Sequence, residues 1–298
     1  MRAAGVGATD LIVLSGTYLF APKIPFVPGY EAAGVVDAIG PGVTGFSVGQ
    51  RVAALTVYGA FAEFLVRGAE HFIPIPDSVS DQDAAAVMLN FVTAWQMIHR
   101  VAKVQPGTTA LVTGAAGGVG TAALQLLRLA GVKAYGAASP PKHDTVRSLG
   151  AIPLDYRAGP LDQLMRECEP AGIDYVFDAV GGPNIGRAIG ALRRGGTVVG
   201  FGFMGAPGAL SKLTMFANLF LGTRLRARRG SFYGISAQYR RDPRPFREDL
   251  PKIFALLAER NIDPMIGRTF PLLEARRALE LLAGGSVPGK IVLIDSHF

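Results

Sequence analysis

The sequence predicts an α/β protein in which a doubly wound parallel sheet is joined to a second, mostly β domain. From residue 109 to residue 202, short apolar runs alternate with segments of helical periodicity. Repeated strand–helix units of this kind form a parallel sheet through right-handed crossovers. The first hundred residues differ, because their short β-like runs are separated by glycines and prolines.

The segment 109–131 carries the most specific pattern in the chain. An apolar strand is predicted over Thr109–Thr113, and a helix with apolar residues at helical spacing extends to about Leu129. The turn between them contains Gly114, Gly117, Gly118 and Gly120. Its pattern, Ala115-x-Gly117-x-x-Gly120, departs from the dinucleotide pattern G-x-G-x-x-G only at the first position. Such a turn brings the backbone and a helix N-terminus close to a pyrophosphate, so it predicts dinucleotide binding. The alternative is a glycine-rich turn without a ligand.

The remainder of this region continues the alternation. Strands are predicted over Lys133–Ala138, Ile152–Asp155, Asp174–Ala179 and Thr197–Gly202, and helices over Lys142–Leu149, Leu161–Glu167 and Ile185–Leu192. The strands contain continuous apolar runs, which are typical of parallel strands buried on both faces. The apolar stretch Leu210–Leu221 also contains serine, lysine and asparagine, and we interpret it as a buried or interface helix.

The first domain is expected to be compact and mostly β. Its β-like runs are Ala33–Ile39, Arg51–Thr56 and Ala62–Val66, and a helix is predicted over Asp81–Val101. The end of the chain again contains a helix, Leu273–Ala283, and a strand, Lys290–Ile294. We expect this single terminal strand to pair with the sheet of the first domain.

Composition excludes several classes of protein. Of 298 residues, 49% are hydrophobic and 18% charged, which allows a large core. No apolar run reaches the roughly 18 residues of a membrane span, and no signal peptide is expected. Cys168 is the only cysteine, which excludes an intramolecular disulfide and a cysteine-based zinc site and fits a reducing cytoplasm. The net charge is +7, with arginines concentrated from Arg224 to Arg247. No aromatic-rich recognition motif accompanies them, so a solvated face or an oligomer contact is favoured over nucleic-acid binding.

The residues after the predicted strand Lys133–Ala138 favour NADP over NAD. NAD-binding folds carry an acidic residue there that holds the ribose 2′-hydroxyl. Here the strand ends in Gly136-Ala137-Ala138-Ser139 without a carboxylate, and Lys142 and His143 follow. A hydroxyl and cations suit a 2′-phosphate, although Lys142 could also be an ordinary solvated lysine at a helix start.

Several stretches share a family pattern. In order they are AAGVGATDL (3–11), PFVPGYEAAGVV (25–36), VGQRVAAL (48–55), GAFAEFLV (59–66), LNFVTAWQMIHRVAKVQPG (89–107), FDAVGG (177–182), SFYGI (231–235) and GGSVPGKIVL (284–293). With the glycine turn, they resemble zinc-free medium-chain dehydrogenases/reductases of the quinone oxidoreductase type, in a bacterial branch similar to vesicle-amine-transport-like reductases.

The resemblance implies a GroES-like substrate domain, a Rossmann NADP-binding domain, NADPH in the cleft and a homodimer. The expected boundaries are residues 1–98 and 263–298 for the first domain and 99–262 for the second. The implied cofactor-binding residues are Thr93, Ala115, Gly117, Gly118, Val119, Gly120, Ser139, Lys142, Tyr156, Val180, Gly181, Phe201 and Gly202. Tyr18 is the implied catalytic hydrogen-bond donor, with an aromatic filler of the cleft as the alternative. The alternative for Tyr156 is a packed or surface tyrosine.

The sequence also departs from its relatives. The three catalytic zinc positions of zinc dehydrogenases correspond to Gly7, Tyr30 and Leu89-Asn90, which cannot form a zinc site. Most zinc-free relatives have asparagine at Gly7, and some quinone reductases have tyrosine at Ile12, so the substrate end of the pocket is expected to be less polar. Relatives also begin with further residues before the RAAGV segment. The first domain is therefore expected to be N-terminally shortened, either through a misassigned start or as a genuine short form.

Two functions follow from these observations. The first is an NADPH-dependent, zinc-independent oxidoreductase that transfers hydride to a quinone or an α,β-unsaturated carbonyl. The second is a nucleotide-binding regulatory or binding protein with little or no turnover. No Ser/His/Asp nucleophile set is evident, because the four histidines are scattered. Glu31 either lies near the cleft, as in zinc-dependent relatives, or braces the β domain.

Overall fold

A computed structural model describes residues 1–18, 21–203, 205–206 and 208–295. The chain forms two compact units, residues 1–92 with 242–298 and residues 93–241. The chain therefore enters and leaves the second unit earlier than the expected boundaries of 98/99 and 262/263. The chain returns to the first unit just before the helix Arg244–Ala258, whereas the boundary expected from the sequence, 262/263, lies after that helix.

The first unit begins with short elements around an antiparallel sheet. They are β1 (Ala3–Val6), α1 (Ala8–Leu14), β2 (Glu31–Val35), β3 (Arg51–Leu55), β4 (Phe72–Pro74) and α2 (Asp81–Trp95). Consecutive strands from β1 to β4 pair antiparallel. The helix predicted over Asp81–Val101 is confirmed, because α2 continues into a π-helical segment, Gln96–Ala102.

The strand predicted over Ala62–Val66 is wrong. This segment has no strand geometry, and Phe64 and Val66 are 71% and 87% exposed. The carbonyl of Glu63 instead accepts a hydrogen bond from the Met1 ammonium group at 2.6 Å. The run is apolar apart from Glu63, but a strand also needs a neighbouring strand with which to pair.

The second unit contains the repeated strand–helix pattern. Its elements are β5 (Thr109–Thr113), α3 (Gly118–Leu129), β6 (Lys133–Ala138), α4 (His143–Ser148), β7 (Ile152–Asp155), α5 (Leu161–Cys168), β8 (Ile173–Asp178), α6 (Asn184–Ala191), β9 (Leu192–Gly200), α7 (Ala209–Ala217), α8 (Thr223–Leu225), β10 (Arg229–Phe232) and α9 (Ile235–Arg241). The strand order is β10-β9-β8-β5-β6-β7, and every pair is parallel. The order reverses between β5 and β8, which confirms the doubly wound sheet.

The central strands of this sheet form a buried apolar core. Leu111, Val112, Val176, Phe177 and Val198 have no exposed surface. Val112 pairs with Gly136 of β6 on one side and with Phe177 of β8 on the other. The continuous apolar runs of the sequence are thus the strands buried on both faces.

The segment Leu210–Leu221 is helical as predicted, but it is not buried. It comprises most of α7 and a π-helical segment, Asn218–Gly222. Leu210, Leu213 and Leu221 are 74%, 66% and 60% exposed. The helix is anchored by Met215 and Leu219, which are buried in the sheet core. The expectation of a buried helix is therefore wrong, and the interface alternative stays a prediction.

The chain returns to the first unit with α10 (Arg244–Ala258), β11 (Ile266–Pro271), α11 (Ala275–Ala283) and β12 (Lys290–Ile294). Strand β12 lies between β1 and β11, antiparallel to the first and parallel to the second. This confirms the expected pairing of the terminal strand. In the part of the chain that the structure describes, no helix has the length and apolarity needed to cross a membrane.

Candidate nucleotide-binding edge and buried charge cluster

The carboxyl ends of the parallel strands meet at one edge of the second unit's sheet, where ligands of such folds bind. The structure places most residues predicted to bind the cofactor in the loops that follow these ends. Ala115, Gly117, Gly118, Val119 and Gly120 follow β5, Ser139 and Lys142 follow β6, Tyr156 follows β7, Val180 and Gly181 follow β8, and Phe201 and Gly202 follow β9. Thr93 stands apart from them, in α2.

The turn after β5 owes its shape to its glycines. Gly114 has φ +63°, a left-handed conformation that glycine adopts without strain. A Cβ on Gly120 would lie 2.3 Å from the Gly114 carbonyl oxygen, so only glycine lets α3 start this close to the turn. Ala115 is buried, and its N–H donates to the Ala137 carbonyl at 3.2 Å. Ala115 therefore shapes the turn, and its amide is already used.

The first turn of α3 is the part of this loop that fits a pyrophosphate. Gly117 is the N-cap residue, and no side chain caps the helix. The first N–H groups of a helix have no intrahelical acceptor and carry a partial positive charge. The amides of Gly118 and Val119 belong to this turn. Neither residue carries a large side chain that would keep a phosphate away from the backbone.

Asp178 organises the two loops after β8 and β9. Its buried carboxylate accepts hydrogen bonds from the Thr113 hydroxyl at 2.7 Å, the Gly181 N–H at 2.7 Å and the Asn184 amide at 2.6 Å. Burial raises the pKa of Asp178, and these hydrogen bonds oppose the rise. Sequence reasoning gave this residue no role, although it lies within the FDAVGG stretch.

The loops after β8 and β9 are in close backbone contact. A Cβ on Gly202 would lie 1.8 Å from the Ala179 carbonyl oxygen, and one on Gly181 would lie 2.7 Å from the Gly202 carbonyl oxygen. Both glycines are therefore required for the loops to meet. This contact leaves Val180 39% exposed at the edge of the sheet.

The loop after β6 joins a hydroxyl to a cation. Ser139 is the N-cap of a short 3₁₀ turn, Pro140–Lys142, and burial lowers the pKa of the Lys142 ammonium group. His143 uses its Nε2 in a hydrogen bond with the Ala138 carbonyl at 3.2 Å. Tyr156 is 51% exposed, with the Arg157 guanidinium over its ring. Ser139 and Lys142 thus fit the 2′-phosphate of NADP.

A carboxylate that sequence reasoning missed lies beside this loop. Asp155 ends β7, pairs in register with Ala138, and accepts a hydrogen bond from the Arg157 N–H at 2.9 Å. In NAD-binding folds the carboxylate that binds the ribose 2′-hydroxyl follows the strand that corresponds to β6, one strand before Asp155. The edge after β6 and β7 therefore presents both a cation, Lys142, and a carboxylate, Asp155.

Thr93 has an unsatisfied hydroxyl. It is 5% exposed, and its Oγ1 has no hydrogen-bond partner within the described ranges of the chain. Buried polar atoms are nearly always hydrogen-bonded in folded proteins. This hydroxyl could hydrogen-bond a polar group of a ligand, so Thr93 fits the cofactor contact that the resemblance implies.

A cluster of buried charges lies in the first unit. Glu31 and Lys290 form an ion pair through Oε1 and Nζ, with side chains 0% and 4% exposed. The other carboxylate oxygen of Glu31 accepts the Leu89 N–H at 2.6 Å. Asp10 is 2% exposed and accepts the Gly7 N–H at 2.8 Å. Glu31 therefore braces the β domain, the second of the two roles considered for it.

Burial dominates the electrostatics of this cluster. It raises the pKa of Asp10 to about 7, while the Gly7 N–H and Lys290 lower it and Glu31 raises it further. Burial also raises the pKa of Glu31, opposed by Lys290 and the Leu89 N–H. Asp10 and Lys290 were missed from the sequence. A lysine opening the apolar strand KIVLI was the available signal.

The residues at the zinc positions of the wider superfamily do not fit a zinc ion. Gly7 has no side chain, and a Cβ there would lie 3.4 Å from Lys290 Nζ, so a cation already occupies this neighbourhood. Tyr30, Leu89 and Asn90 supply no thiolate, imidazole or carboxylate, which are the ligands of structural and catalytic zinc sites. Within the described residues, no three His, Cys, Asp or Glu side chains are grouped as a metal site.

The predicted catalytic residue, Tyr18, is paired with a second tyrosine. The two hydroxyl oxygens of Tyr18 and Tyr30 are 2.8 Å apart, and the rings meet edge to face with centroids 6.5 Å apart. Tyr30 is 1% exposed, whereas Tyr18 is partly exposed. The first unit therefore presents one accessible phenol that is held by a buried one.

Comparisons with known proteins agree with this architecture. Residues 1–77 match the alcohol dehydrogenase GroES-like domain, and residues 149–293 match the zinc-binding dehydrogenase family. A probable oxidoreductase from Mycobacterium abscessus is 30% identical, with a TM-score of 0.80 over 98% of this chain and 88% of that one. The chain belongs to the medium-chain dehydrogenase/reductase family. Its fold is that family's pairing of a GroES-like domain with a Rossmann-like parallel sheet.

Within this family the chain groups with the quinone oxidoreductase-like members. A mycobacterial quinone oxidoreductase is 29% identical, with a TM-score of 0.81 over 98% of this chain and 89% of that one. A mycobacterial protein solved in complex with NADPH is 28% identical, with a TM-score of 0.86 over the same shares. The human synaptic vesicle membrane protein VAT-1 homolog-like is 36% identical over 203 residues. That match covers 68% of this chain and 48% of the relative, about half of its length.

Proposed function

We propose that this medium-chain dehydrogenase/reductase is an NADPH-dependent, zinc-independent oxidoreductase that reduces a quinone or an α,β-unsaturated carbonyl. The observation that carries the proposal is the joint placement of the uncapped glycine turn and the Ser139–Lys142 loop at one edge of the parallel sheet. Two similar proteins add support, since one is a quinone oxidoreductase and the other was solved with NADPH.

Each part of the cofactor has candidate partners in the second unit. The amides of Gly118 and Val119 bind the pyrophosphate, and Ser139 and Lys142 bind the 2′-phosphate. Thr93 and the backbone at Val180, Gly181, Phe201 and Gly202 hold the nicotinamide end, and Gly117, Gly120 and Ala115 keep the turn narrow. When bound, NADPH supplies the hydride that an electron-poor acceptor takes up.

The protein's contribution to chemistry is to place the acceptor and to stabilise its developing negative charge. Tyr18 is the hydrogen-bond donor proposed for this role, because the residue is partly exposed and its hydroxyl is hydrogen-bonded to that of Tyr30. A preorganised donor aimed at a developing oxyanion is among the strongest catalytic devices of enzymes. Zinc has no part in the proposal, because the residues at the three zinc positions supply no suitable ligands.

We also propose that the protein is a homodimer. Strand β10 is an outermost strand of the second sheet, and no strand among the described residues pairs with its outer side. The adjoining helical segment exposes Leu213, Leu221 and Leu225, the last at 78%. Exposed apolar surface of this kind marks interfaces. Light scattering of the wild type and of Leu213→Glu tests this: the proposal expects a dimer that the charge dissociates, and a monomeric wild type would refute it.

The alternative function is a nucleotide-binding protein with little turnover. The observation that favours it is Gly7, which lacks the amide found in most zinc-free relatives. Purified protein mixed with NADPH and 1,4-benzoquinone or 2-cyclohexenone separates the two functions. The reductase proposal expects oxidation of NADPH that depends on the acceptor and is unchanged by a zinc chelator. Saturable binding without oxidation would support the alternative, and loss of turnover with the chelator would contradict zinc independence.

A further inference from the structure

The second unit carries a group of arginines at the edge of its sheet that is opposite the proposed cofactor edge. Because all strand pairs of this sheet are parallel, the first residues of its strands share this amino edge. At about 3.3 Å per strand residue, Arg194 near the start of β9 is about 20 Å from the loop after that strand. We call these residues the amino-edge cluster; they open β9, or precede or open β10, and are Arg193, Arg194, Arg224, Arg226, Arg228 and Arg229.

Three arginines of the amino-edge cluster are used by the fold itself. The Arg193 guanidinium donates to the Asp174 carboxylate at 2.5 Å. Arg228 donates through Nε to the first carbonyl of β9 at 2.9 Å, and Arg229 donates to the Gly195 carbonyl at 3.2 Å. These side chains therefore fasten the segment before β10 onto the start of β9.

The other three guanidinium groups, those of Arg194, Arg224 and Arg226, have no partner. All three residues are exposed, and within the described ranges none of their side chains forms a hydrogen bond or an ion pair. The Gly195 N–H donates to the Ala227 carbonyl at 2.8 Å, so the residues just before these two, Arg194 and Arg226, are neighbours along the edge.

A tight turn brings Arg224 to the same place. The Ala227 N–H donates to the Arg224 carbonyl at 3.1 Å, and Ala227 has φ +52°, in the left-handed region that alanine rarely adopts. Residues held in such sparsely populated conformations are concentrated at ligand sites and switch regions. The turn therefore keeps Arg224 and Arg226 beside the start of β9 at a cost in backbone strain.

Positive charge is concentrated at this edge without matching carboxylates. Burial lowers the pKa of Arg228, and repulsion from Arg226 and Arg166 lowers it further. Arg166 is paired with Asp162 at 3.4 Å, and the Asp174 carboxylate is already bound by an arginine of the cluster. An anion that bound the unpaired guanidinium groups would relieve the repulsion between them.

We propose that Arg194, Arg224 and Arg226 form a binding site for a phosphate group that carries two negative charges, as in a phosphomonoester or pyrophosphate. A guanidinium group presents a planar fork of N–H donors that matches two phosphate oxygens. The site lies at the edge away from the glycine turn, so it does not rest on the proposed function. The same chemistry occurs in soluble phosphates and in the headgroup of phosphatidic acid.

Calorimetric titration of the full chain with pyrophosphate, in the presence of saturating NADPH, tests the site. The wild type is expected to bind, and Arg194→Gln/Arg226→Gln to bind about tenfold more weakly or less. The matched control, Arg247→Gln/Arg268→Gln, removes the same charge from exposed arginines of the first unit and should bind as the wild type does. If NADPH itself does not bind, the proposed function is refuted, and the difference between the two double variants still reports the arginine site.

Vesicles separate the two sources of the phosphate. Co-sedimentation uses phosphatidylcholine vesicles that contain phosphatidic acid, or phosphatidylglycerol, a phosphodiester, in its place. Binding that needs phosphatidic acid and is lost in Arg194→Gln/Arg226→Gln identifies a lipid headgroup, whereas binding of pyrophosphate alone identifies a soluble ligand. The site is overturned if neither probe binds or if the control variant weakens binding equally. A changed oligomeric state of the arginine variant on light scattering would also overturn it, because these arginines would then form an oligomer contact.

Discussion

The substitution Asp10→Asn tests the electrostatics of the first unit. Burial raises the pKa of Asp10 to about 7 in the folded chain, from 3.8 as the ordinary value. A carboxyl group whose pKa is higher in the folded state binds its proton more tightly there. Its contribution to stability is therefore complete below the unfolded pKa and is lost as the pH rises through about 7.

The size of this effect follows from the shift. A pH of 5 is about two units below the pKa of Asp10 in the folded chain and about one unit above its pKa in the unfolded chain. Each unit corresponds to about 1.36 kcal/mol, so Asp10 adds about 2.7 kcal/mol to the free energy of unfolding at pH 5, and almost none at pH 8.

Asparagine keeps an acceptor for the Gly7 N–H but does not titrate. The free energy of unfolding should therefore fall between pH 5 and pH 8 by about 2.7 kcal/mol more in the wild type than in Asp10→Asn. Urea denaturation followed by circular dichroism measures this difference, with the exposed carboxylate variant Asp77→Asn as the control. The reasoning is refuted if wild type and Asp10→Asn lose the same stability over this range.

Three further predictions concern single contacts. Lys290→Met leaves Glu31 as an uncompensated buried charge and should lower the free energy of unfolding by about 3–5 kcal/mol, whereas Glu31→Gln/Lys290→Met should recover most of that loss in the same denaturation assay. Equal stabilities of the single and double variants would contradict the ion pair. Gly120→Ala places a methyl group against the Gly114 carbonyl and should lower the free energy of unfolding by about 1–3 kcal/mol, whereas Gly186→Ala, whose methyl group meets no atom within 4 Å, should be neutral or stabilising. Thermal melts compare the two variants, and equal midpoints would argue against the tight turn. Thr93→Val removes an orphaned buried hydroxyl, so it should stabilise the free protein by about 1 kcal/mol and weaken NADPH binding; a loss of stability on calorimetry would show that the hydroxyl is satisfied.

The parallel sheet was predictable because each of its central strands corresponds to a short apolar run in the sequence. The runs at Thr109–Thr113 and Lys133–Ala138 have continuous buried centres, ALV and AYGAA, which is the signal of a strand buried on both faces. Edge strands were harder to detect. Strand β10 reads RGSF and has no apolar run, and β11 contains an exposed arginine, so each exists because a neighbouring strand pairs with it.

The site was predictable where it depends on short segments, and hidden where it depends on distant ones. The glycine turn and the Ser139–Lys142 loop lie within a few residues of their strand ends, so their placement followed from the strands. The pairs Glu31–Lys290 and Tyr18–Tyr30 form only after the sheet has assembled, and no spacing in the sequence connects Glu31 to Lys290. Exposure of the Leu210–Leu221 helix likewise depends on what the fold leaves uncovered.

The measurement that tests the central claim most directly is a fluorescence titration of wild type and Lys142→Ala with NADPH and with NADH. The account predicts that the wild type binds NADPH more tightly, and that Lys142→Ala weakens NADPH binding about tenfold or more and leaves NADH binding unchanged, because only NADPH carries the 2′-phosphate. If the wild type prefers NADH, or if the variant weakens both cofactors equally, Lys142 does not recognise the 2′-phosphate and the assignment of NADPH is contradicted.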